Sequence, residues 1–121
     1  MCSFIHYYNP STYTILEEDA DWGKAQRTLG TQDEIKDLNN KFDKMKSTYV
    51  DKRIPVIIGE YGTTTKNKDM KSVRNFLYSV CKAAYSRQIT PILWDTPLGF
   101  YDREAGKIKY SVLKEMLNSV K

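Results

Sequence analysis

The sequence is poor in the residues that build disulfide frameworks and metal centres. Its two cysteines, Cys2 and Cys81, are too few for a disulfide framework. Cys81 falls within an apolar stripe of helical spacing, so we expect it to be a small buried residue. The one histidine stands among scattered acidic residues and provides no cluster of metal ligands. The sequence therefore predicts neither a metal site nor any other cofactor.

Long apolar runs are absent as well. No stretch approaches the ~18 apolar residues of a membrane span, so no membrane partner is expected. The first residues, Met-Cys-Ser-Phe, do not begin a signal peptide. This start predicts either a cytosolic chain or a chain whose N-terminal region is missing.

Charge of one sign is not concentrated anywhere. The formal net charge is +4, but lysines are interleaved with acidic residues over positions 34–52 and 66–71. A protein that binds a polyanion gathers Lys and Arg on one face, whereas this pattern is typical of solvated helix surfaces. We therefore expect no nucleic-acid partner.

Tyrosine, in contrast, is abundant. The chain has 121 residues and nine tyrosines, and its composition is that of one globular domain covering residues 1–121. Tyrosine combines a flat apolar face with a polar tip, which suits a groove for a sugar. Amphipathic packing residues explain any individual tyrosine equally well.

The most informative segment is an apolar strand that ends on a carboxylate. Residues 54–62 read IPVIIGEYG, a Val/Ile run bounded by Pro and Gly. Such a run predicts a strand buried on both faces, as in a parallel sheet covered by helices. Glu60 stands at its carboxyl end between Gly59 and Gly62, with Tyr61 offering a ring and a hydroxyl beside it. A buried Glu needs a partner or an open site, so Glu60 is the candidate functional residue.

Three similar units follow one another along the chain, each an apolar strand, a loop and an amphipathic helix. The strands are predicted over residues 3–8, 54–62 and 90–95, and Thr31 and Glu34 have the spacing of a helix capping box. Alternation of strand and helix predicts βαβ crossovers and a parallel sheet. The helical stripes are Ile35, Leu38, Phe42, Met45 and Tyr49; then Val73, Phe76, Leu77, Val80, Cys81 and Ala84; then Val112, Leu113, Met116, Leu117 and Val120.

The three strand ends carry polar and aromatic side chains. They are His6, Tyr7 and Tyr8, then Glu60 and Tyr61, then Trp94 and Asp95. Because parallel strand ends lie side by side, these groups should meet at one edge of the sheet. His6 alone favours a structural histidine and Trp94 alone a core residue, so it is their convergence with Glu60 that indicates a site.

These strand ends resemble the C-terminal part of the barrel of glycoside hydrolase family 5, the cellulase family. His6-Tyr7-Tyr8 resembles the end of the family's sixth strand, residues 54–62 the seventh, and Ile92-Leu93-Trp94-Asp95 the eighth. The resemblance implies an α/β fold that is a partial (β/α)8 TIM barrel of about three C-terminal units. It also implies that Glu60 is the catalytic nucleophile. His6, Tyr8, Trp94, Asp95 and, with less support, Trp22 are then the substrate-binding residues.

The implied chemistry is retaining hydrolysis of a β-1,4-glucan such as cellulose by an endoglucanase. One carboxylate attacks the anomeric carbon, and a second, about 5–5.5 Å away, protonates the leaving oxygen and then activates water. Relatives in this family are usually secreted, so the resemblance implies an extracellular location.

The chain also departs from the family pattern. The family's acid/base Glu sits in an Asn-Glu-Pro motif, and no Asn-Glu pair occurs here; Thr96-Pro97 stands where many relatives have Asn-Gly. Two hypotheses therefore remain: an enzyme segment that needs residues outside this chain, or a non-catalytic partial barrel that binds glucan weakly. An unrelated small α/β protein would require the three strand ends to coincide by chance.

A partial barrel carries a physical consequence. Three parallel strands cannot close, and they expose two edges and an apolar face. We expect this chain to self-associate through those edges or to pair with the missing N-terminal part of the barrel.

Overall fold

The fold is given by a computed structural model, which describes residues 1–96 and 99–120. Pro97, part of the departure noted above, lies outside the described residues. The elements in chain order are β1 (Ser3–Tyr7), α1 (Ser11–Thr14), α2 (Gln32–Thr48), β2 (Val56–Tyr61), α3 (Met70–Tyr85), β3 (Thr90–Leu93), β4 (Tyr101–Asp102), β5 (Lys107–Ile108) and α4 (Ser111–Ser119). A 3-10 turn, Val50–Lys52, follows α2.

A three-stranded parallel sheet forms the centre of the fold. Its strand order is β1-β2-β3, and both pairings are parallel. Each strand is followed by a helix, because a parallel neighbour can be reached only by crossing back over the sheet. The predicted α/β succession of three strand–helix units is confirmed.

The first long helix begins where the sequence predicts. Thr31 Oγ1 accepts a hydrogen bond from the Glu34 backbone N–H at 3.2 Å, and Glu34 Oε1 accepts one from the Thr31 N–H at 3.2 Å. This capping box satisfies two helix donors that would otherwise lack partners, a contribution of about 1 kcal/mol. Leu38 and Phe42 are buried on the face that meets the sheet.

The core lies between the sheet and its helices. Val73, Phe76, Leu77 and Val80 of α3 are completely buried, as the predicted stripe requires. The Tyr7 ring of β1 packs against Phe42, with ring centroids 5.2 Å apart. One face of the sheet is thereby covered by helices, and Tyr7 belongs to the core rather than to a site.

Two features lie in regions expected to be loops. The hairpin β4–β5 occupies the segment before α4, and α1 occupies the segment after β1. The hairpin strands have two residues each, and Asp102 Oδ1 accepts hydrogen bonds from the N–H groups of Glu104 and Ala105 in the turn. Strands this short have no detectable period-two pattern, so the sequence does not reveal them.

A bulge in β2 determines where Glu60 points. Ile5 of β1 lies opposite Ile58, but His6 lies opposite Glu60, so Gly59 is an extra residue in β2. The bulge turns Glu60 away from the helices and returns Tyr61 to the core, where it is 1% exposed. A Cβ at position 59 would lie 3.2 Å from Phe4 Cδ1, so glycine fits the space beneath that ring.

The other face of the sheet has no helix over it among the described residues. We call it the open face and define it by Phe4, His6, Glu60, Ile92 and Trp94. Phe4 is 68% exposed, and Ile92 and Trp94 are about half exposed. Within residues 1–96 and 99–120, no helix is both long and apolar enough to cross a membrane.

Candidate active site

The Glu60 carboxylate lies at the carboxyl end of the central strand, on the open face. Tyr8 donates a hydrogen bond from its hydroxyl to Glu60 Oε2 over 3.0 Å. His6 Nδ1 lies 3.7 Å from the same oxygen, which is beyond hydrogen-bond distance. The Glu60 side chain keeps 28% of its surface exposed. The predicted meeting of Glu60, His6 and Tyr8 is therefore present in the structure.

The electrostatics of this pair keep the proton on Tyr8. Burial, the hydrogen bond to Glu60 and the charge of Glu60 together raise the pKa of Tyr8 from 10.0 to about 12, burial contributing most. A hydroxyl that stays protonated remains a donor at neutral pH. One carboxylate oxygen of Glu60 is thus occupied, and the described residues place no other hydrogen-bond donor on the carboxylate.

Trp94 stands beside Glu60 at the end of the neighbouring strand. Its backbone N–H donates to the Tyr61 carbonyl over 2.8 Å, which fixes Trp94 next to the β2 terminus. The side chain is 51% exposed, so its face is available to a ligand. An aromatic face of this kind suits the apolar face of a sugar ring.

A cleft of ≈ 550 Å³ adjoins these residues. Tyr8 and Trp94 line it, and residues that follow β1, β2 and β3 supply the rest of its walls. Sequence reasoning did not single out these loop residues. The run Thr63-Thr64-Thr65 directly after the Glu60 strand was the available signal, because loops at the carboxyl ends of strands line such sites. The further lining residues are Thr14, Ile15, Glu17, Gly62, Lys66, Thr96, Gly99 and Phe100.

The other predicted site residues lie elsewhere. Asp95 Oδ1 accepts a hydrogen bond from the Phe100 N–H over 2.5 Å, so this carboxylate holds the loop after β3. Trp22 is 59% exposed in the loop after β1, where Ala20 and Gly23 form an isolated bridge, and it does not line the cleft. Roles of Asp95 and Trp22 in substrate binding stay predictions.

The expectation for Tyr61 was wrong. Instead of offering a ring and a hydroxyl beside Glu60, Tyr61 is buried, and its hydroxyl lies 2.7 Å from Cys81 Sγ. The cause is the bulge at Gly59, which shifts the alternation of β2 by one residue. Cys81 is buried as expected and contacts this hydroxyl.

The site contains a carboxylate, a neutral phenol, an imidazole and an indole, which together suit nucleophilic attack on a polar, ring-shaped ligand. Among the described residues, no group of three or more His, Cys, Asp or Glu could hold a metal ion. What the arrangement supports is chemistry centred on the Glu60 carboxylate.

Comparisons with known proteins identify the family of this chain. Residues 1–97 match the model of the cellulase family, glycosyl hydrolase family 5. A xyloglucan-specific endo-β-1,4-glucanase of Bacteroides ovatus is 26% identical over 84% of this chain and 23% of its own length.

Two solved structures share the fold. A broad-specificity endoglucanase of family 5, from an uncultured bovine rumen ciliate, is 30% identical, with a TM-score of 0.89 over 98% of this chain and 39% of its own. A family 5 lichenase from Caldicellulosiruptor sp. F32, in complex with cellotetraose, is 25% identical, with a TM-score of 0.83 over 98% of this chain and 34% of its own.

The present chain thus spans 23–39% of the length of these proteins. The two structures cover nearly all of it, which confirms the expected partial TIM barrel. The match to the family model extends over most of the 121 residues. The chain belongs to glycosyl hydrolase family 5, the cellulase family.

Proposed function

We propose that this chain is the nucleophile-bearing segment of a retaining glycosidase that cleaves β-1,4-glucan. The observation that supports this proposal most directly is the position of the Glu60 carboxylate at the strand end. It accepts a hydrogen bond from Tyr8 over 3.0 Å and is flanked by the exposed Trp94. Family membership and the names of the relatives, which are endoglucanases and a lichenase, support glucan as the substrate class.

In this proposal Glu60 attacks the anomeric carbon of the bound sugar. The bond to the leaving-group oxygen breaks as a glycosyl–Glu60 ester forms, and a second carboxylic acid protonates that oxygen. The same second group then removes a proton from a water molecule, which attacks the anomeric carbon and breaks the ester. This step regenerates the Glu60 carboxylate and releases a sugar whose anomeric configuration is retained.

The neighbouring side chains have separate tasks. Tyr8 orients the Glu60 carboxylate and stabilises its charged form by donating to it. Trp94 provides the platform under the sugar at the cleavage point, and His6 lines the same position on β1. Trp22 is assigned to a glucan contact further along the cleft and Asp95 to substrate binding, as the resemblance implies.

The acid/base residue is proposed to come from the segment that completes the barrel. No Asn-Glu pair occurs in this sequence. Glu17 is the acidic residue that lines the cleft, but its carboxylate lies 3.7 Å from Lys66 Nζ and is engaged in an ion pair. Because general acid–base catalysis contributes about 10²–10⁴-fold, we expect at least a ~100-fold loss of glucan hydrolysis relative to an intact relative.

Trapping the glycosyl–enzyme ester tests the role of Glu60 without the missing acid. The reagent is a dinitrophenyl β-cellobioside in which fluorine replaces the hydroxyl on the carbon next to the anomeric carbon. Its leaving group needs no protonation, and the ester that it forms with the enzyme is hydrolysed slowly. After incubation, with dinitrophenolate as the leaving group, we expect intact-protein mass spectrometry to show one added fluorodeoxy-cellobiosyl group, mapped to Glu60 by peptide digestion.

Two variants complete this experiment. Glu60→Gln should take up no label, whereas Glu104→Gln, at an exposed position in the β4–β5 hairpin, should label like the wild type. Labelling of Glu60→Gln, or labelling of the wild type at another carboxylate, would contradict the assignment of the nucleophile.

A second candidate is a non-catalytic partial barrel that self-assembles and binds glucan weakly. The half-exposed Ile92 and Trp94 and the exposed Phe4 of the open face favour it, since such a surface calls for a partner. Reducing-sugar release from a soluble β-1,4-glucan separates the two candidates. Release that disappears in Glu60→Gln supports an assembled enzyme, and glucan binding without release or labelling supports the non-catalytic candidate.

A further inference from the structure

Thr14 is a polar residue that the fold buries beside the candidate active site. It is 2% exposed, and among the residues that the structure describes Ser72 is the other buried residue with an aliphatic hydroxyl. Ser72 belongs to a helix start, since its hydroxyl donates to Asp69, which caps α3. A buried hydroxyl has given up its hydrogen bonds to water, so its partners within the protein show what it holds in place.

The side chain of Thr14 holds the backbone at Tyr8. Its Oγ1 donates a hydrogen bond to the Tyr8 carbonyl over 2.6 Å, whereas the Pro10 carbonyl lies 3.3 Å away. A hydroxyl has one hydrogen to donate, and the Pro10 carbonyl already accepts from the Thr14 N–H over 3.0 Å. The hydroxyl of Thr14 therefore serves Tyr8. Because Tyr8 directly follows β1, this bond fixes the backbone at the point where the strand ends.

The main chain of Thr14 is bonded to the segment that carries Glu60. The Thr64 N–H, four residues after Glu60, donates to the Thr14 carbonyl over 3.0 Å. The bond from the Tyr8 hydroxyl to Glu60 Oε2, 3.0 Å long, joins the same two segments through their side chains. Thr14 is thus hydrogen-bonded both to the segment that carries the phenol and to the segment that carries the carboxylate.

We propose that Thr14 is a positioning residue for the Glu60 nucleophile and that it acts through Tyr8. This inference rests on the proposed function, because it takes Glu60 as the attacking carboxylate. Thr14 is too deeply buried to bind a substrate itself. Without its hydroxyl the Tyr8 carbonyl loses a donor, and a shift of the Tyr8 backbone moves the phenol away from the distance and angle that its bond to Glu60 needs. The carboxylate then loses the donor that orients it toward the anomeric carbon.

A titration of Tyr8 without any ligand tests whether Thr14 holds the phenol in place. Thr14→Val removes the hydroxyl and keeps the size of the side chain, whereas Thr14→Ser keeps the hydroxyl. By NMR of tyrosines labelled at ring Cζ, we expect the pKa of Tyr8 to fall below 12 in Thr14→Val and to stay near 12 in Thr14→Ser. Thr12→Val is the matched control, because it deletes the hydrogen bond from another threonine of α1 to Gln26 and should leave Tyr8 unchanged.

The rate of labelling by the fluorinated cellobioside tests the link to the reaction. At saturating reagent we expect Thr14→Val to take up the label about tenfold more slowly than the wild type, because a small displacement of an orienting group lowers the rate. The reagent concentration that gives half of the maximal rate should change little. In a Tyr8→Phe background, Thr14→Val should slow labelling no further, since a residue that acts through the phenol then has nothing to act on. Thr14→Ser should restore the wild-type rate, and Thr12→Val should keep it.

The outcomes separate this inference from the proposed function. Urea denaturation shows which variants are folded, and Thr14→Ala repeats both measurements if Thr14→Val is not. An unchanged Tyr8 pKa or labelling rate in a folded variant without the hydroxyl overturns the role of Thr14 and leaves Glu60 as the nucleophile. So does a Thr14→Ser that behaves like Thr14→Val, or an equal loss of labelling rate with and without the Tyr8 hydroxyl. A wild type that takes up no label overturns the proposed function, and the role of Thr14 in the reaction with it.

Discussion

At the scale of single residues, the contact between Tyr8 and Glu60 is the one on which the proposed chemistry depends most directly. The phenol keeps its proton up to about pH 12, because burial and the carboxylate both disfavour the phenolate. Since the pKa is raised in the folded state, the folded chain binds this proton more tightly than the unfolded chain does. The resulting stabilisation is complete below pH 10 and is lost as the pH rises toward 12.

Substituting Glu60 should therefore change the titration of Tyr8. In Glu60→Gln we expect the pKa of Tyr8 to fall below 12 but to stay above 10.0, because the charge is removed while burial, the largest cause, remains. The measurement is an NMR titration of tyrosines labelled at ring Cζ, with Tyr8→Phe identifying the resonance. Glu104→Gln should leave the titration unchanged. An unshifted Tyr8 in Glu60→Gln would mean that the contact with Glu60 is not formed.

Individual residues also show how far the sequence could lead. Glu60, His6, Tyr8 and Trp94 could be placed together, because parallel strand ends meet and their side chains are recognisable. The inward turn of Tyr61 could not be predicted, since it depends on the bulge at Gly59. A glycine in a strand is compatible with a bulge or with plain close packing, and only the pairing with β1 distinguishes them.

At the scale of elements, the loops after β1 and β2 are fastened together by Lys68. Its Nζ donates to the carbonyls of Leu16, over 2.7 Å, and Gln26, over 2.5 Å, and lies 4.8 Å from the centroid of the Tyr13 ring. These partners lie 52 and 42 residues away along the chain. The loop after β1 also contains Trp22 and one wall of the cleft. The hydrogen bonds from Lys68 therefore help to fix the position of both.

Removing the ammonium should loosen this connection. We expect Lys68→Met to lower the free energy of unfolding by about 1–2 kcal/mol, because two carbonyls lose a charged donor and the ring contact is lost. Urea denaturation measures the change. Lys24→Met, at an exposed lysine of the loop after β1, serves as the control and should have no effect beyond about 0.5 kcal/mol. Equal free energies of unfolding for the two variants would show that Lys68 does not stabilise the contact between the two loops.

The long helices could be predicted from the sequence, whereas the short hairpin and the short helix α1 could not. The α2 and α3 stripes repeat over several turns, and a capping box marks the start of α2, so local signals agree with the fold. The β4–β5 hairpin and α1 are too short for any period to be read. The hairpin is stabilised by Asp102 in its turn and by packing of Ile108 against the core, and the latter is a tertiary effect.

At the scale of the whole molecule, the partial barrel leaves two sheet edges without a strand partner among the described residues. Beside β1, a cavity of ≈ 320 Å³ opens between the strand and α2 and is lined by Ile5, Met45 and Tyr49. On the open face, Phe4 and Ile92 are exposed although they belong to apolar strands. The chain matches 39% of the length of the ciliate endoglucanase, and closure of a sheet into a barrel is what removes such free edges.

The purified chain should consequently self-associate when no completing segment is supplied. We expect size-exclusion chromatography with light scattering to show a mass that increases with concentration, because burial of the open face contributes about 25 cal/mol per Å² of apolar surface. The double variant Phe4→Lys and Ile92→Lys should shift the chain toward monomer, since charges on this face oppose pairing. Tyr85→Lys, at an exposed aromatic of α3 on the opposite side of the sheet, should associate like the wild type. A wild-type chain that remains monomeric at every concentration would show that the open face needs no partner, and the case for barrel completion would then rest on catalysis alone.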